Sequence, residues 1–332
     1  MSIYGAMMNA PAPMPGAEPL RLAEGAWPAA AAGHLFVIGP AFMPALPVPF
    51  FAQPGMLHRF DLGAGGAARW QRNFVATEGV QVLRRLPPEA RADQNLRMLM
   101  GPVPNVANTG LCPFGDGRLL ATFDLGRPVE VDLRHLGFLT SVGRVREWQF
   151  RLPGAVQPAV ATSAHPFWDP FDQQLYTINS TSSPVGGTSL TWSELDLWLA
   201  RWDGEGAVRR WHVRAPRLSH YVHEVVATRS FIAWIDSAVY PTEPGERWGL
   251  PRSHGQRPYT DVHIVRRRDL REDAEEVTAT RVRIPLEGVH CVADYDDDGE
   301  HLILHLTHAG STELTTVVAP EDVNHFTGRA VD

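Results

Sequence analysis

Lysine is missing from this sequence: all 30 basic residues of the 332-residue chain are arginine. Without a lysine amine there is no Schiff-base and no lysine-nucleophile chemistry. Cysteine is scarce, with only Cys112 and Cys291. Two thiols so far apart exclude a disulfide scaffold and a cysteine-rich zinc site, and both are expected as small buried hydrophobes in a reducing compartment. No stretch reaches the roughly 18 apolar residues of a spanning helix. No basic region followed by an apolar run opens the chain, so a secretory signal is not expected and the location is read as cytoplasmic. Positive charge is not in excess either, at a formal net charge of −7, which argues against a nucleic-acid partner. Long helical patterns are missing; the best helical candidate, residues 268–276, is short and highly charged.

What is present is strand after strand, punctuated by 29 glycines and 28 prolines. Residues 1–30 are rich in Ala, Pro and Met and read as a loosely ordered lead-in to one domain over 31–332. Strand patterns follow at Gly33–Pro40, Leu57–Leu62, Trp70–Thr77, Gly117–Asp124 and Pro128–Leu133. A hairpin is expected over 194–213, turning at Asp203-Gly204. Further strands are expected at Phe231–Asp236, Asp261–Arg266, Thr280–Ile284, Val289–Tyr295 and His301–Thr307. The fold class is all-β, and a propeller is the most economical way to bury so many short strands. Residues 41–57 are almost entirely apolar and proline-rich: either a loop buried on the core or an exposed lip for peripheral membrane contact.

Fourteen histidines are the chemical signal. His301, His305 and His308 cluster locally, but strand geometry points 308 away from 301 and 305. His58, His135, His254 and His325 are scattered in loops. His165, His223 and His290 each open a strand-like segment, 58 and 67 residues apart. Such spacing is too long for a zinc finger, but it suits one ligand from each of several sheets meeting on an axis. All-imidazole ligation fits iron, copper or zinc better than magnesium or calcium. Spacing alone favours three unrelated buried histidines.

Several motifs, in order, resemble the carotenoid cleavage oxygenases. They are Gly33–Pro40, Gly55-Met56-Leu57-His58, Arg72–Glu78, Asn108-Thr109 with Gly117–Ala121, Ala164-His165-Pro166 with Asp169, Tyr221-Val222-His223 with Thr228, and His290 with Tyr295. The resemblance covers roughly residues 30–310 and makes His223, not His220, the second ligand motif. It implies a seven-bladed β-propeller of the carotenoid oxygenase type, incomplete in this chain. It further implies a non-haem Fe(2+) on its axis held by histidines, here His165, His223 and His290. The implied reaction uses O2 to cleave a conjugated double bond of an apolar polyene, a carotenoid or apocarotenoid, into two carbonyl products. No obligate protein partner is implied.

Three departures stand out. The family's fourth ligand histidine has no counterpart; His325 lacks matching context. Asp124 replaces the Glu that hydrogen-bonds a ligand histidine, and, one methylene shorter, it is expected to reach the ring through water or not at all. Ala293-Asp294-Tyr295-Asp296 replaces the family's Asn-Ala-Tyr-Glu, and Phe51-Ala52-Gln53-Pro54 its Asp-Gly-Asp-Gly at the substrate tunnel, which leaves substrate choice open; Phe123, where stilbene-cleaving members carry a Lys, leans toward a polyene. The alternative is a truncated or degenerate propeller that binds an apolar ligand or protein without catalysis. A propeller hydrolase is disfavoured because its metal wants carboxylate ligands.

Overall fold

The computed structural model describes residues 14–26, 30, 32–41, 53–63, 67–85, 105–148, 160–182, 195–214, 222–236, 259–308, 323–324 and 329–330. The first sheet contains β1 (Met14–Leu20), β2 (Gly33–Pro40), β3 (Gly55–Leu62) and β4 (Ala68–Phe74) in the order β1-β4-β3-β2. A short helix, α1 (Glu78–Arg85), follows. The second sheet runs in chain order through β5 (Gly110–Phe114), β6 (Arg118–Thr122), β7 (Val129–Val131) and β8 (Phe138–Ser141). The third is built from β9 (Ala161–Thr162), β10 (Phe167–Asp169), β11 (Gln174–Ser182), β12 (Leu195–Trp202) and β13 (Arg209–Arg214). The fourth takes β14 (Val225–Ala227), β15 (Phe231–Ile235) and β16 (Tyr259–Arg266). Then β17 (Glu276–Thr278) returns to pair in parallel with β13, and β18 (Thr280–Pro285) closes the fourth sheet on β16. Next β19 (Gly288–Ala293) and β20 (Leu304–His308) form an antiparallel ribbon, and two short strands, Val323–Asn324 and Arg329–Ala330, pair with each other.

The sheets stack in sequence order, each face packing on the next sheet. Leu57 of the first sheet meets Leu119, Ala121 and Val129 of the second. The other face of the second sheet, through Phe114 and Leu120, meets Leu175, Ala200 and Trp202 of the third. Ile178, Leu199 and Trp211 of the third meet Ile232, Trp234 and Val265 of the fourth. Ala233, Ile235 and Val262 of the fourth meet Cys291 and Leu304 of the ribbon. Because side chains alternate along a strand, a central strand supplies two interfaces at once. Hence β15, Phe-Ile-Ala-Trp-Ile, is buried throughout: Ile232 and Trp234 face the third sheet, Ala233 and Ile235 the ribbon. A continuous apolar run of this length is what a strand buried on both faces requires.

The hairpin turn is where the sequence places it. Gly204 takes φ +95°, a left-handed conformation that suits glycine, and Asp203 Oδ1 accepts the Glu205 and Gly206 N–H groups. Other expectations are corrected. Residues 14–20, read as part of a loose lead-in, pair with β4 from Leu20↔Ala68 to Met14↔Arg72. Residues 78–85, which carried no helical expectation, form the one α-helix among the described residues. Thr77 Oγ1 caps it by accepting the Val80 N–H, with Glu78 in its first turn and Arg84 and Arg85 in its last. Residues 268–276 are not an α-helix: a 3-10 turn at Arg267–Asp269 leads into β17. The last ribbon strand begins at Leu304, not His301, because Asp298 Oδ1 and Oδ2 hold the His301 N–H and ring in a turn. His58 lies in β3, not a loop. Of residues 41–57, read either as a buried loop or as a membrane lip, Ala41 and Gln53 to Leu57 are buried, and 42–52 lie outside the described residues.

Candidate metal centre

The three strand-opening histidines converge because the first strands of successive sheets lie side by side. His165 precedes β10 and His223 precedes β14, and the two segments form a parallel bridge between His165 and Glu224. The His165 N–H donates to the His223 carbonyl at 3.0 Å, and the Val225 N–H donates to the His165 carbonyl at 2.9 Å. Pro166 keeps His165 extended, which this pairing needs. The Thr122 hydroxyl at the end of β6 donates to the Ala164 carbonyl, fixing the same turn from the second sheet. His290 reaches the cluster from within β19.

The rings pack at centroid distances of 4.7 Å for His165–His223, 5.1 Å for His165–His290 and 5.1 Å for His223–His290. One ring nitrogen from each lies within 4.8 Å of the other two, the only such group among the described residues. Two carboxylates stand behind the rings. The His223 Nδ1–H donates to Asp124 Oδ1 at 2.8 Å, so the shorter side chain reaches the ring directly, without the water or loss expected from the sequence. The Thr162 N–H holds the Asp124 backbone carbonyl at 2.9 Å. The His290 Nδ1–H donates to Glu224 Oε2 at 3.2 Å. With Nδ1 engaged, both rings present Nε2 as the free nitrogen.

Burial, and then the neighbouring His223, pull the His165 imidazole down to about 4, so it is neutral near physiological pH. For His223 burial also acts downward, but the charge and hydrogen bond of Asp124, joined by Glu224, outweigh it and raise the basicity of the ring. Burial works against the Glu224 carboxylate, yet its bonds to His290 and to the Cys291 N–H hold it below the usual carboxylate value. Three imidazole donors with two anions behind them suit a divalent transition metal, the carboxylates orienting the rings and strengthening them as donors.

The remaining sequence candidates separate from this cluster. Asp169 lies buried under a guanidinium and a phenol: Arg267 pairs with it, and the Tyr295 hydroxyl donates to its two oxygens at 3.1 and 3.0 Å. That network ties the third sheet to the loop after β19. Phe123 packs with Val80 and Val106. His301, His305 and His308 do not converge, since they turn to Asp298, Asp294 and the Glu287 carbonyl respectively. His135 pairs with Asp132, and His220, His254 and His325 lie outside the described residues. Glu224 is the residue that sequence reasoning missed; its signal was an acid adjoining a ligand motif at a strand start.

The profile of the retinal pigment epithelial membrane protein family matches residues 9–329. No curated protein matches the chain. Among solved structures, an apocarotenoid oxygenase of Synechocystis (the Glu150Gln mutant) is 21% identical, with a TM-score of 0.57, covering 87% of this chain and 60% of its own. The cobalt-substituted form of the Synechocystis enzyme is 19% identical, with a TM-score of 0.58, covering 92% of this chain and 64% of its own. A lignostilbene dioxygenase of Pseudomonas brassicacearum is 21% identical, with a TM-score of 0.54, covering 83% of this chain and 54% of its own. The chain therefore spans about 60% of the length of the first of these relatives, and shares their β-sheet fold. A profile match over nearly the whole chain, on a fold whose strand starts gather three histidines, settles the family: the chain belongs to the retinal pigment epithelial membrane protein family, the carotenoid cleavage oxygenases.

Proposed function

We propose that this chain carries the metal centre of a non-haem Fe(II) dioxygenase that cleaves a conjugated C=C bond of a carotenoid or apocarotenoid with O2. The single observation that supports this most is the convergence of His165, His223 and His290, one from each of three successive sheets. These residues would hold Fe(2+) through ring nitrogens, and bound iron would supply the activation of O2. Overall, one C=C bond and one O2 become two C=O groups, with one oxygen atom in each product, so no external reductant is required.

The chain's own residues then have defined tasks. Asp124 accepts the Nδ1–H of His223 and so keeps the Nε2 lone pair aimed at the centre. The buried Ala164 carbonyl, held by Thr122, keeps the His165 turn from relaxing. An apolar polyene is favoured over a phenolic stilbene because position 123 is a phenylalanine packed on valines, and the whole chain lacks the lysine amine that would grip a phenolate.

The test is iron per chain after anaerobic loading with Fe(II), read by elemental analysis. Near-stoichiometric iron is expected in the parent protein and a loss of it in His165→Ala, His223→Ala and His290→Ala. Full occupancy in all three variants would sink the assignment. If iron is held, incubation with an apocarotenoid under 18O2 is expected to place one labelled oxygen in each carbonyl product.

A further inference from the structure

One residue beside the centre is placed to do more than fill space. Glu224 pairs with His165 in a β-bridge and Val225–Ala227 form β14, so from Glu224 onward neighbouring side chains leave on opposite faces. Val225 and Ala227 pack toward the third sheet and Val226 toward the β19–β20 ribbon. The His223 ring meets Asp124 and His165, while Glu224 shares the direction of Val226, where β19 runs. The same two residues thus deliver a ring to one side and a carboxylate to the other.

That carboxylate is firmly seated. Glu224 Oε2 accepts the Cys291 backbone N–H at 2.7 Å and the His290 Nδ1–H at 3.2 Å, with the side chain 14% exposed. The backbone bond fixes the oxygen whatever the ring does, so the ring meets a stationary acceptor. His290 needs one: its side chain is 43% exposed, against 12% for His223, so packing alone leaves it free to turn. Glu224 is also the bridge partner of His165, the hydrogen bonds coming from the His223 carbonyl and the Val225 N–H on either side of it.

We propose that Glu224 is the positioning residue of the centre. It sets the tautomer and orientation of His290 through its carboxylate, from a position whose two neighbours, through the His223 carbonyl and the Val225 N–H, hold the backbone of His165. The inference rests on the metal centre proposed above, but its first readout does not need a metal. In metal-free protein, 15N NMR of the imidazoles is expected to show His290 as the Nδ1–H tautomer. Glu224→Ala is expected to move it toward the Nε2–H form that free imidazole favours, with the other two histidines unchanged.

The second readout is titration with Co(II), followed through its visible ligand-field bands. Glu224→Ala is expected to weaken binding about 10–100-fold, the usual effect of removing a partner that orients a ligand histidine. Its bands are expected to lose the contribution of one imidazole. Glu224→Gln, which keeps an acceptor for the Cys291 N–H, is expected to fold normally and recover most of the affinity; it also serves if the alanine variant fails to fold. Parental Co(II) affinity and bands in Glu224→Ala, with His290 still protonated at Nδ1, would overturn the proposal. So would a glutamine variant no better than a folded alanine variant. Failure of the parent protein to bind Co(II) would instead count against the metal centre, and the tautomer measurement would still decide whether Glu224 sets His290.

Discussion

Adding one methyl group at Gly110 tests whether the backbone around His165 is as tightly determined as the structure shows. A Cβ there would come 2.6 Å from the Ala164 carbonyl oxygen, 2.7 Å from Thr122 Oγ1 and 3.2 Å from His165 Nδ1. The first two cannot move apart freely, because the Thr122 hydroxyl donates to that same carbonyl. Either β5 shifts or the hydrogen bond breaks. Overpacking of this kind costs about 1–3 kcal/mol and the lost bond about 1 kcal/mol, so Gly110→Ala is expected to lower stability by roughly 2–4 kcal/mol. The His165 ring is displaced with its turn, and Co(II) affinity is expected to fall at least about tenfold. The control is Gly39→Ala in β2, where an added Cβ meets nothing within 4 Å. A methyl group there is expected to be neutral or to stabilise by roughly 0.5–1 kcal/mol, since glycine is a weak strand residue. Urea unfolding and metal titration of both variants are the assays. If Gly110→Ala matches the parent in both, the packing around His165 is not what fixes the ligand.

Three further outcomes are expected. Asp169 is fully buried and paired with Arg267, so Arg267→Met leaves an uncompensated charge and is expected to cost about 3–5 kcal/mol in urea unfolding; a loss below about 1 kcal/mol would refute that role. Burial, aided by Arg72, holds His58 down at about 4 from 6.5, and its Nδ1 accepts the Trp70 Nε1–H. Between those values the unfolded chain binds the extra proton, so this stability is full above 6.5 and is lost as pH falls toward 4, by about 3 kcal/mol in all. The stability difference between parent and His58→Gln should therefore change over that window, and a constant difference would contradict it. Burial raises both thiols to about 12, so native protein should leave Cys112 and Cys291 unreacted with a thiol reagent near neutral pH, and both should react once it is unfolded.

Much of the site was legible because its residues carry local signatures. A histidine before proline must be extended, and His165 is. An acid in the position of Asp124 was read from the motif that precedes it, and it does meet His223. Glu224 was legible only as an acid beside a ligand motif; that its carboxylate meets His290, 66 positions away, was not. The length of Asp124 was misjudged for a similar reason: whether a shorter side chain reaches a ring depends on where the backbones sit, and Thr162 brings the Asp124 backbone close. The strand at 14–20 was missed because its sequence, Met-Pro-Gly-Ala-Glu-Pro-Leu, has little strand propensity; pairing with β4 supplies what the residues do not.

By itself the sequence determined the all-β class, most strand positions and the turns, and its ordered motifs singled out three histidines as candidate ligands, because periodicity, turn chemistry and motif order are written in neighbouring residues. Tertiary structure alone decided that those histidines converge, which carboxylates stand behind His223 and His290, and that Gly110 cannot accept a methyl group. These are distances between residues tens of positions apart. They are set by how each sheet face packs on the next, and no local pattern encodes them.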